Sequence, residues 1–495
     1  MSLAPNLPAR DVAVIDIGSN SVRLVLYRLE GQAVWPLFNE KVLAGLGRDL
    51  SATGRLSPEG VVAAMKALRR FAAVLEGVRP EHVLVAATAA VREAEDGGEF
   101  CERVAAETGL IIRVLSGEDE ARYAAMGVAN GAPGADGVSA DMGGASLELT
   151  RIDAGRVGKG VTLPLGAFSF GAKGFDGRKV RETADRRLGR VAPQFAAPRL
   201  YAVGGAWRSL AQVHMALSAY PLKVVHQYSI PAREARDTAR FLARQSKGSL
   251  DAMPGVSRKR AETLPYAAIV LEALIDHLGL EHIEFSAWGV REGLLYDWLA
   301  DRVSDADPLL AGCAALGARQ GVSPALPGSL QGWIHGLMQP LEPIFSTERD
   351  GQLVAAACNL ADLGARLHPD HRVELTFDQV LRAPIPGQSH AERCFLAAAI
   401  NARYGGPAST PEPATIERLL GEEARKRARV LGLAIRLACD LSGRSPNLLA
   451  NARATVDGGA LRLTASEGFA DVLLGEQTRR RAKALADAMG LELSI

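Results

Sequence analysis

The hydrophobic pattern changes period repeatedly along the chain. In VAVIDIGSNSVRLVLY (12–27) an apolar run ends in Asp16, a polar turn follows, and an apolar segment resumes from Val22 to Tyr27. That is a strand–turn–strand unit. A second such unit, GVSADMGGASLELTRI, begins at Gly137. Superposing them pairs Asp16 with Asp141, Gly18 with Gly143 and Ser21 with Ser146, so the sequence predicts a diverged internal duplication and two lobes of one architecture. Between the units, helix-period patterns over Pro58–Glu76 and about Glu93–Gly109 alternate with strand patterns over His82–Ala87 and Ile111–Leu115, and a helix opens after Ser116. The second lobe repeats the alternation, with RLYAVGG ending in Gly204–Gly205 before a helix and IEFSAWG before REGLLYDWLA. Strands alternating with helices predict an α/β fold.

Beyond about Asp301 helical periods dominate, over Ser329–Phe345, Gln352–Leu367, Ala391–Arg403 and Thr415–Ser442, with Pro340 and Pro343 breaking or kinking the first. The chain ends in two strand-like pieces, ATVDGG and ALRLTAS, and a basic helix, EQTRRRAKALADAMG. The expected domains are 1–130 and 131–301 (the two lobes), 302–445 (helical) and 446–495 (a small α+β segment).

Composition narrows the partners more than the fold. A length of 495 residues with 48% hydrophobic and 23% charged content suits a soluble multidomain protein. A net charge of +1 argues against a globally basic nucleic-acid binder, so any polyanion must meet a local patch. The five scattered cysteines lack CxxC spacing and read as reduced thiols. Neither a signal peptide nor an apolar run of membrane-spanning length is visible, and a cytoplasmic location is expected.

Four polar turns carry candidate chemistry. Asp16-Ile17-Gly18-Ser19-Asn20-Ser21 and Asp141-Met142-Gly143-Gly144-Ala145-Ser146 each set backbone N–H groups and hydroxyls beside a carboxylate. Gly204-Gly205, between a strand and a helix, offers an anion site, and Thr88-Ala89-Ala90-Val91-Arg92 offers a guanidinium. Asp141 and Glu148 share one hairpin and could hold Mg²⁺. The acidic triplet Glu118-Asp119-Glu120 opens a helix, where carboxylates are favoured by the dipole alone.

These pieces, VIDIGSNSVRLVLY, ATAAVREA, VLSGEDEARYAAMGV, ADMGGASLEL, AVGGAWRSLA and GVREGLLYDW, stand in the order and spacing of the exopolyphosphatase/guanosine pentaphosphatase family, which the chain resembles. ACNLADLGARLHPDHR and SHAERCFLAAAINARYGG resemble that family's helical C-terminal region. The resemblance implies two actin-like lobes of the RNase H-like kind, then a helical HD-like domain. It implies hydrolysis of a terminal phosphoanhydride, of inorganic polyphosphate or of guanosine pentaphosphate, by a homodimer. Glu120 matches the general base, Arg92 the phosphate-clamping arginine, and Asp141, Glu148 and Asp16 the metal-associated carboxylates. Gly18, Ser19, Asn20, Ser21, Gly143, Gly144, Ala145, Ser146, Gly204 and Gly205 match the phosphate cradles. Mg²⁺ is the implied cofactor, with K⁺ open as an activator.

The chain departs from the family where Ala145 replaces a Gly and Leu147 a Thr, and where Trp207 and Arg208 add bulk that could alter substrate entry. The HD-type centre reads Ala361-Asp362 without its His, which argues against a second metal site. Basic clusters (Arg178-Lys179 with Arg181, Arg186-Arg187, Arg258-Lys259-Arg260, Arg425-Lys426-Arg427 and Arg479-Arg480-Arg481) could line a polyanion groove, though most read as solvated helix faces. The rivals are a superfamily ATP-dependent kinase, disfavoured for want of an adenosine-pocket signal, and a non-catalytic polyphosphate or alarmone sensor.

Overall fold

The computed structural model describes residues 9–31, 33–170, 174–300 and 307–495. The expected boundary near 301, the N-terminal eight residues and the Lys259 side chain lie outside the described residues. The chain divides into two compact units, Met1–Asp305 and Ala306–Ile495.

The first unit holds two sheets. One contains β1 (Arg10–Ile17), β2 (Val22–Glu30), β3 (Ala33–Val42), β4 (His82–Ala87) and β5 (Arg113–Val114), in the order β3-β2-β1-β4-β5. The other contains β6 (Gly137–Met142), β7 (Leu147–Asp153), β8 (Arg156–Leu163), β9 (Arg199–Val203), β10 (Tyr228–Pro231) and β11 (His282–Phe285), in the order β10-β11-β9-β6-β7-β8. In both, three strands form an antiparallel meander and the next strand joins parallel to the first, β4 beside β1 and β9 beside β6. The duplication extends to single bonds: Gly18 N donates to Ser21 O at 2.9 Å, and Gly143 N to Ser146 O at 3.0 Å.

β1 and β6 are central and read as nearly continuous apolar runs, as strands covered on both faces must. β3 and β8 escaped the sequence reading. β3 contains Pro36, tolerated on an edge strand, and bulges so that Leu37 is left exposed. β8 is a half-exposed edge strand with Gly158 and Gly160 breaking its apolar pattern.

One close approach positions the site. The helices Gly117–Gly131 and Val290–Leu299 meet backbone to backbone: a Cβ on Gly293 would strike the Tyr123 carbonyl, and one on Gly127 the Gly289 carbonyl.

The second unit is mostly helical, with a small sheet of β12 (Ala452–Asp457), β13 (Ala460–Ala465) and β14 (Glu492–Ser494). The long helix expected over Thr415–Ser442 is two, Pro413–Leu419 and Glu422–Ser442, because Leu420 is extended and Gly421 caps the second. The helix expected over Ser329–Phe345 runs Leu326–Met338 and stops ahead of Pro340, as a missing N–H requires. Among the described residues no helix is long and apolar enough to cross a membrane, and all five cysteines are free.

Candidate active site

The turns at the carboxyl ends of β1 and β6 border a cavity of about 410 Å³ within the first unit. Asp16 and Asp141 stand one residue before the ends of the two central strands, so the duplication brings its acidic residues to one cavity. Gly18, Ser19, Asn20, Ser21, Gly143, Gly144, Ser146, Gly204 and Gly205 all line it, as does Glu120. The two turns close on each other, and a Cβ on Gly144 would lie 3.2 Å from Ser19 Cβ. Gly204 has φ +111° and its Cβ position lies 2.5 Å from the Met142 carbonyl, so this cradle accepts no side chain.

Three expected site residues do not line the cavity: Arg92, Glu148 and Ala145. Arg92 donates through Nη1 to Glu120 Oε2 and to the Leu115 carbonyl, both at 3.0 Å. Its guanidinium therefore holds the neighbouring carboxylate rather than fronting the cavity. Glu148 pairs across the hairpin with Asp141 and is 2% exposed, and its Oε1 has no hydrogen-bond partner. Two residues directly opposite in a ladder point to one face, so Glu148 backs Asp141 from within the lobe. Ala145 lies outside the positive-φ positions, so its Cβ brings no backbone strain. Its carbonyl accepts Gly166 N at 3.1 Å, and Leu147 is wholly buried.

The helix Gly117–Gly131 divides its acidic triplet. Ser116 caps it by accepting Asp119 N, Glu118 faces outward, and Glu120 turns into the protein at 6% exposure. Burial raises the Glu120 carboxyl above the ordinary range, while hydrogen bonds from Arg92 and Thr88 pull the other way. Asp141 is pushed up to about 7, first by burial and then by the charges of Glu120 and Asp16. Glu148 lies well above the ordinary range, through burial and then Glu120 and Asp141, partly offset by a hydrogen bond with Ser146. Carboxylates crowded together in low dielectric cannot all ionise without a cation.

Sequence reasoning missed most of the facing cations. Arg23, Lys41, Arg208, Arg260 and Arg291 all line the cavity. Only Arg260, in a basic cluster, and Arg208 had been singled out. Arg23 could have been found from β-pairing, since it sits directly opposite Asp16. Arg291 follows Gly289-Val290 at a helix start and donates through Nη1 to Asp16 Oδ2 at 3.0 Å. Burial works against its charge, yet Glu292 and Asp16 hold its pKa above normal. Glu292 caps the same helix by accepting Gly289 N at 2.9 Å and receives the Tyr27 hydroxyl at 2.5 Å. Burial lowers Arg23 to about 10, helped by Arg291, and also lowers Arg208 and Arg260. Trp207 does not reach the entry; it is fully buried, its indole N–H donating to the Ala267 carbonyl.

Several members of the basic clusters are held in internal ion pairs. Arg181 binds Asp185 and Asp276, Arg427 is buried beside Asp350, and Arg481 holds Asp440. At the HD-like position Asp362 accepts Val322 N and lies 3.5 Å from Arg444 Nε. Among the described residues no three His, Cys, Asp or Glu side chains form a ready-made metal cluster.

The Ppx/GppA phosphatase family model matches residues 24–302, more than half of the chain. The chain belongs to the Ppx/GppA phosphatase family. The model of the exopolyphosphatase C-terminal region matches residues 319–495. Exopolyphosphatase 1 of Mycobacterium tuberculosis is 27% identical over 299 residues, 57% of this chain and 87% of that protein. A solved Ppx/GppA family member from Aquifex aeolicus is 25% identical with a TM-score of 0.53, covering 60% of this chain and all of that one. A solved exopolyphosphatase from Cytophaga hutchinsonii, 21% identical, shares the fold with a TM-score of 0.56 over 60% of this chain and 99% of its own. This Ppx/GppA member is thus an enzyme with the two actin-like lobes of its family, followed by a helical C-terminal region.

Proposed function

We propose that the enzyme is an exopolyphosphatase, removing the terminal phosphate of inorganic polyphosphate. The observation that carries this is the polarity of the cavity: a carboxylate group at the two turns faces five cationic side chains, and burial disfavours the charge of four of them, Arg23, Lys41, Arg208 and Arg260. Such an array is stabilised by a ligand with several phosphates. Among the described residues the lining contains no aromatic ring to stack on a purine. That favours a bare phosphate chain over guanosine pentaphosphate.

In this reading Glu120 takes a proton from water as the water oxygen bonds to the terminal phosphorus. The bridging P–O bond breaks, its electrons stay on the shortened chain, and the cations hold that developing charge. Orthophosphate and a chain one unit shorter leave, and Glu120 returns its proton to solvent. Arg92 keeps Glu120 oriented, and the backbone N–H groups of the two turns and of the Gly204–Gly205 helix start bind phosphate oxygens. The residues fit Mg²⁺, because crowded Asp141 and Asp16 offer one or two carboxylates, with the unpartnered Glu148 Oε1 buried behind them. When bound, Mg²⁺ would neutralise phosphate oxygens. A cytoplasmic homodimer belongs to the same reading and is checked by sedimentation.

The test is phosphate release from long-chain polyphosphate with Mg²⁺, beside guanosine pentaphosphate and ATP, with Glu120→Gln as control. Release from polyphosphate that the variant abolishes, with ATP nearly inert, supports the reading. Tight binding without release from any substrate would overturn it in favour of a sensor.

A further inference from the structure

Lys41 is a cavity residue that the family motifs leave without a task. It lies near the end of edge strand β3, open to solvent at the residue level yet part of the cavity lining. The sheet register puts it in a row with the chemistry: Asp16 on β1 pairs with Arg23 on β2, and Arg23 with Lys41 on β3. Two strand spacings separate Lys41 from Asp16, about 10 Å of backbone. With the terminal phosphate beside Glu120, as in the function proposed above, a group at that distance would meet the chain behind it.

The neighbours of Lys41 leave its nitrogen without a carboxylate of its own. Glu40, beside it in sequence, turns to Arg70 at 2.6 Å. Asn39, two residues back, receives Arg23 Nε at 2.8 Å. Arg260, Arg23 and Arg291 act on it from three other elements, opposed by Asp16, which is itself bonded to Arg291. We propose that Lys41 is the residue that grips the polyphosphate chain behind its terminal unit. The inference rests on the polyphosphate reading above.

The electrostatics agree with the geometry. Lost hydration, then Arg260, Arg23 and Arg291, lower the ammonium to about 7. Near neutral pH its charge is therefore only partial. A bound polyanion raises that pKa, so binding above pH 7 draws in nearly one proton. The sign follows: the Lys41 contribution to affinity is full below the pKa of the free site and fades as pH rises above it, by about tenfold per unit until the bound-state pKa is reached.

The experiment compares wild type, Lys41→Met and Lys41→Arg, each in a Glu120→Gln background so that the chain survives calorimetry. Binding of a defined long-chain polyphosphate is measured at pH 8 in two buffers of different ionisation enthalpy. Asp141 also titrates near 7 and contributes in every variant, so the difference between variants isolates Lys41. Expected is proton uptake larger by nearly one in wild type than in either variant, with affinity kept in Lys41→Arg and about tenfold weaker in Lys41→Met. In active enzyme Lys41→Met should raise KM for long chains about tenfold, while binding of pyrophosphate, too short to reach Lys41, stays the same. Equal affinity for long-chain polyphosphate in wild type and Lys41→Met would overturn the role of Lys41 alone. Failure of long-chain polyphosphate to bind any form would overturn the substrate reading with it.

Discussion

The two turns built from Asp16 and Asp141 share a backbone and differ in their electrical state. Each is closed by the same glycine-to-serine hydrogen bond, and each puts its aspartate one residue before the end of a central strand. Asp16, however, is bonded to Arg291, whereas Asp141 faces Glu120 and backs onto the buried Glu148. A duplicated scaffold has thus become one turn whose carboxylate is paired with a guanidinium and one whose carboxylate is crowded by other carboxylates. In the function proposed above, residues that the repeat makes equivalent would then differ in duty: Asp16 would order the basic wall through Arg291, and Asp141 would be the main source of negative charge for Mg²⁺.

The strongest way to break this comparison is to neutralise both aspartates in turn. Asp141→Asn is expected to lower kcat by about 10²–10³-fold in a phosphate-release assay while the fold is kept. If Asp16→Asn, which also frees Arg291, has the same effect on Mg²⁺ dependence, the division of duties is wrong. Arg291→Met should come next, destabilising the protein by about 3–5 kcal/mol in urea unfolding, because it strands a half-buried carboxylate.

A stability profile sharpens the contrast further. The Asp141 pKa is raised on folding, so the folded state binds the extra proton: its contribution is present below the ordinary carboxylate pKa and is lost as pH rises to about 7. In EDTA the melting temperature should therefore fall between pH 4 and 7, and Asp141→Asn should remove roughly 2–4 kcal/mol of that fall. Mg²⁺ at pH 8 should restore stability to wild type and not to Asp141→Asn, a readout independent of turnover. The smallest effect belongs to Ala145→Gly: the residue is unstrained and off the lining, so kcat/KM should stay within about twofold.

Much of this was legible in the sequence because strand-to-turn transitions leave a sharp pattern. The hairpins around Asp16 and Asp141, the helix after Ser116 and the Gly204–Gly205 cradle all follow from apolar runs ended by polar turns. The cationic wall was not legible, since Arg23, Lys41 and Arg291 meet only through sheet register and a helix returning from residue 290. The partners of Arg92 were not legible either: the resemblance places it at a phosphate clamp, and the structure adds hydrogen bonds to Glu120, Glu93 and the Leu115 carbonyl. Trp207 was misplaced for a related reason, because the turn at Gly204 sends the next aromatic inward. Edge strands β3 and β8 were invisible because half-exposed strands with Pro or Gly carry little periodicity.

The glycine contact between the helices bearing Glu120 and Arg291 has a consequence for mutational scanning. Gly127 and Gly293 carry no chemistry, yet they fix the spacing of those two helices through their backbones. A screen scored on activity alone would rank them with the acidic residues and invite their entry into a catalytic roster. Scoring abundance in parallel separates the two groups: substitutions at Gly127 or Gly293 deplete the protein itself, whereas Glu120→Gln leaves a full complement of silent enzyme.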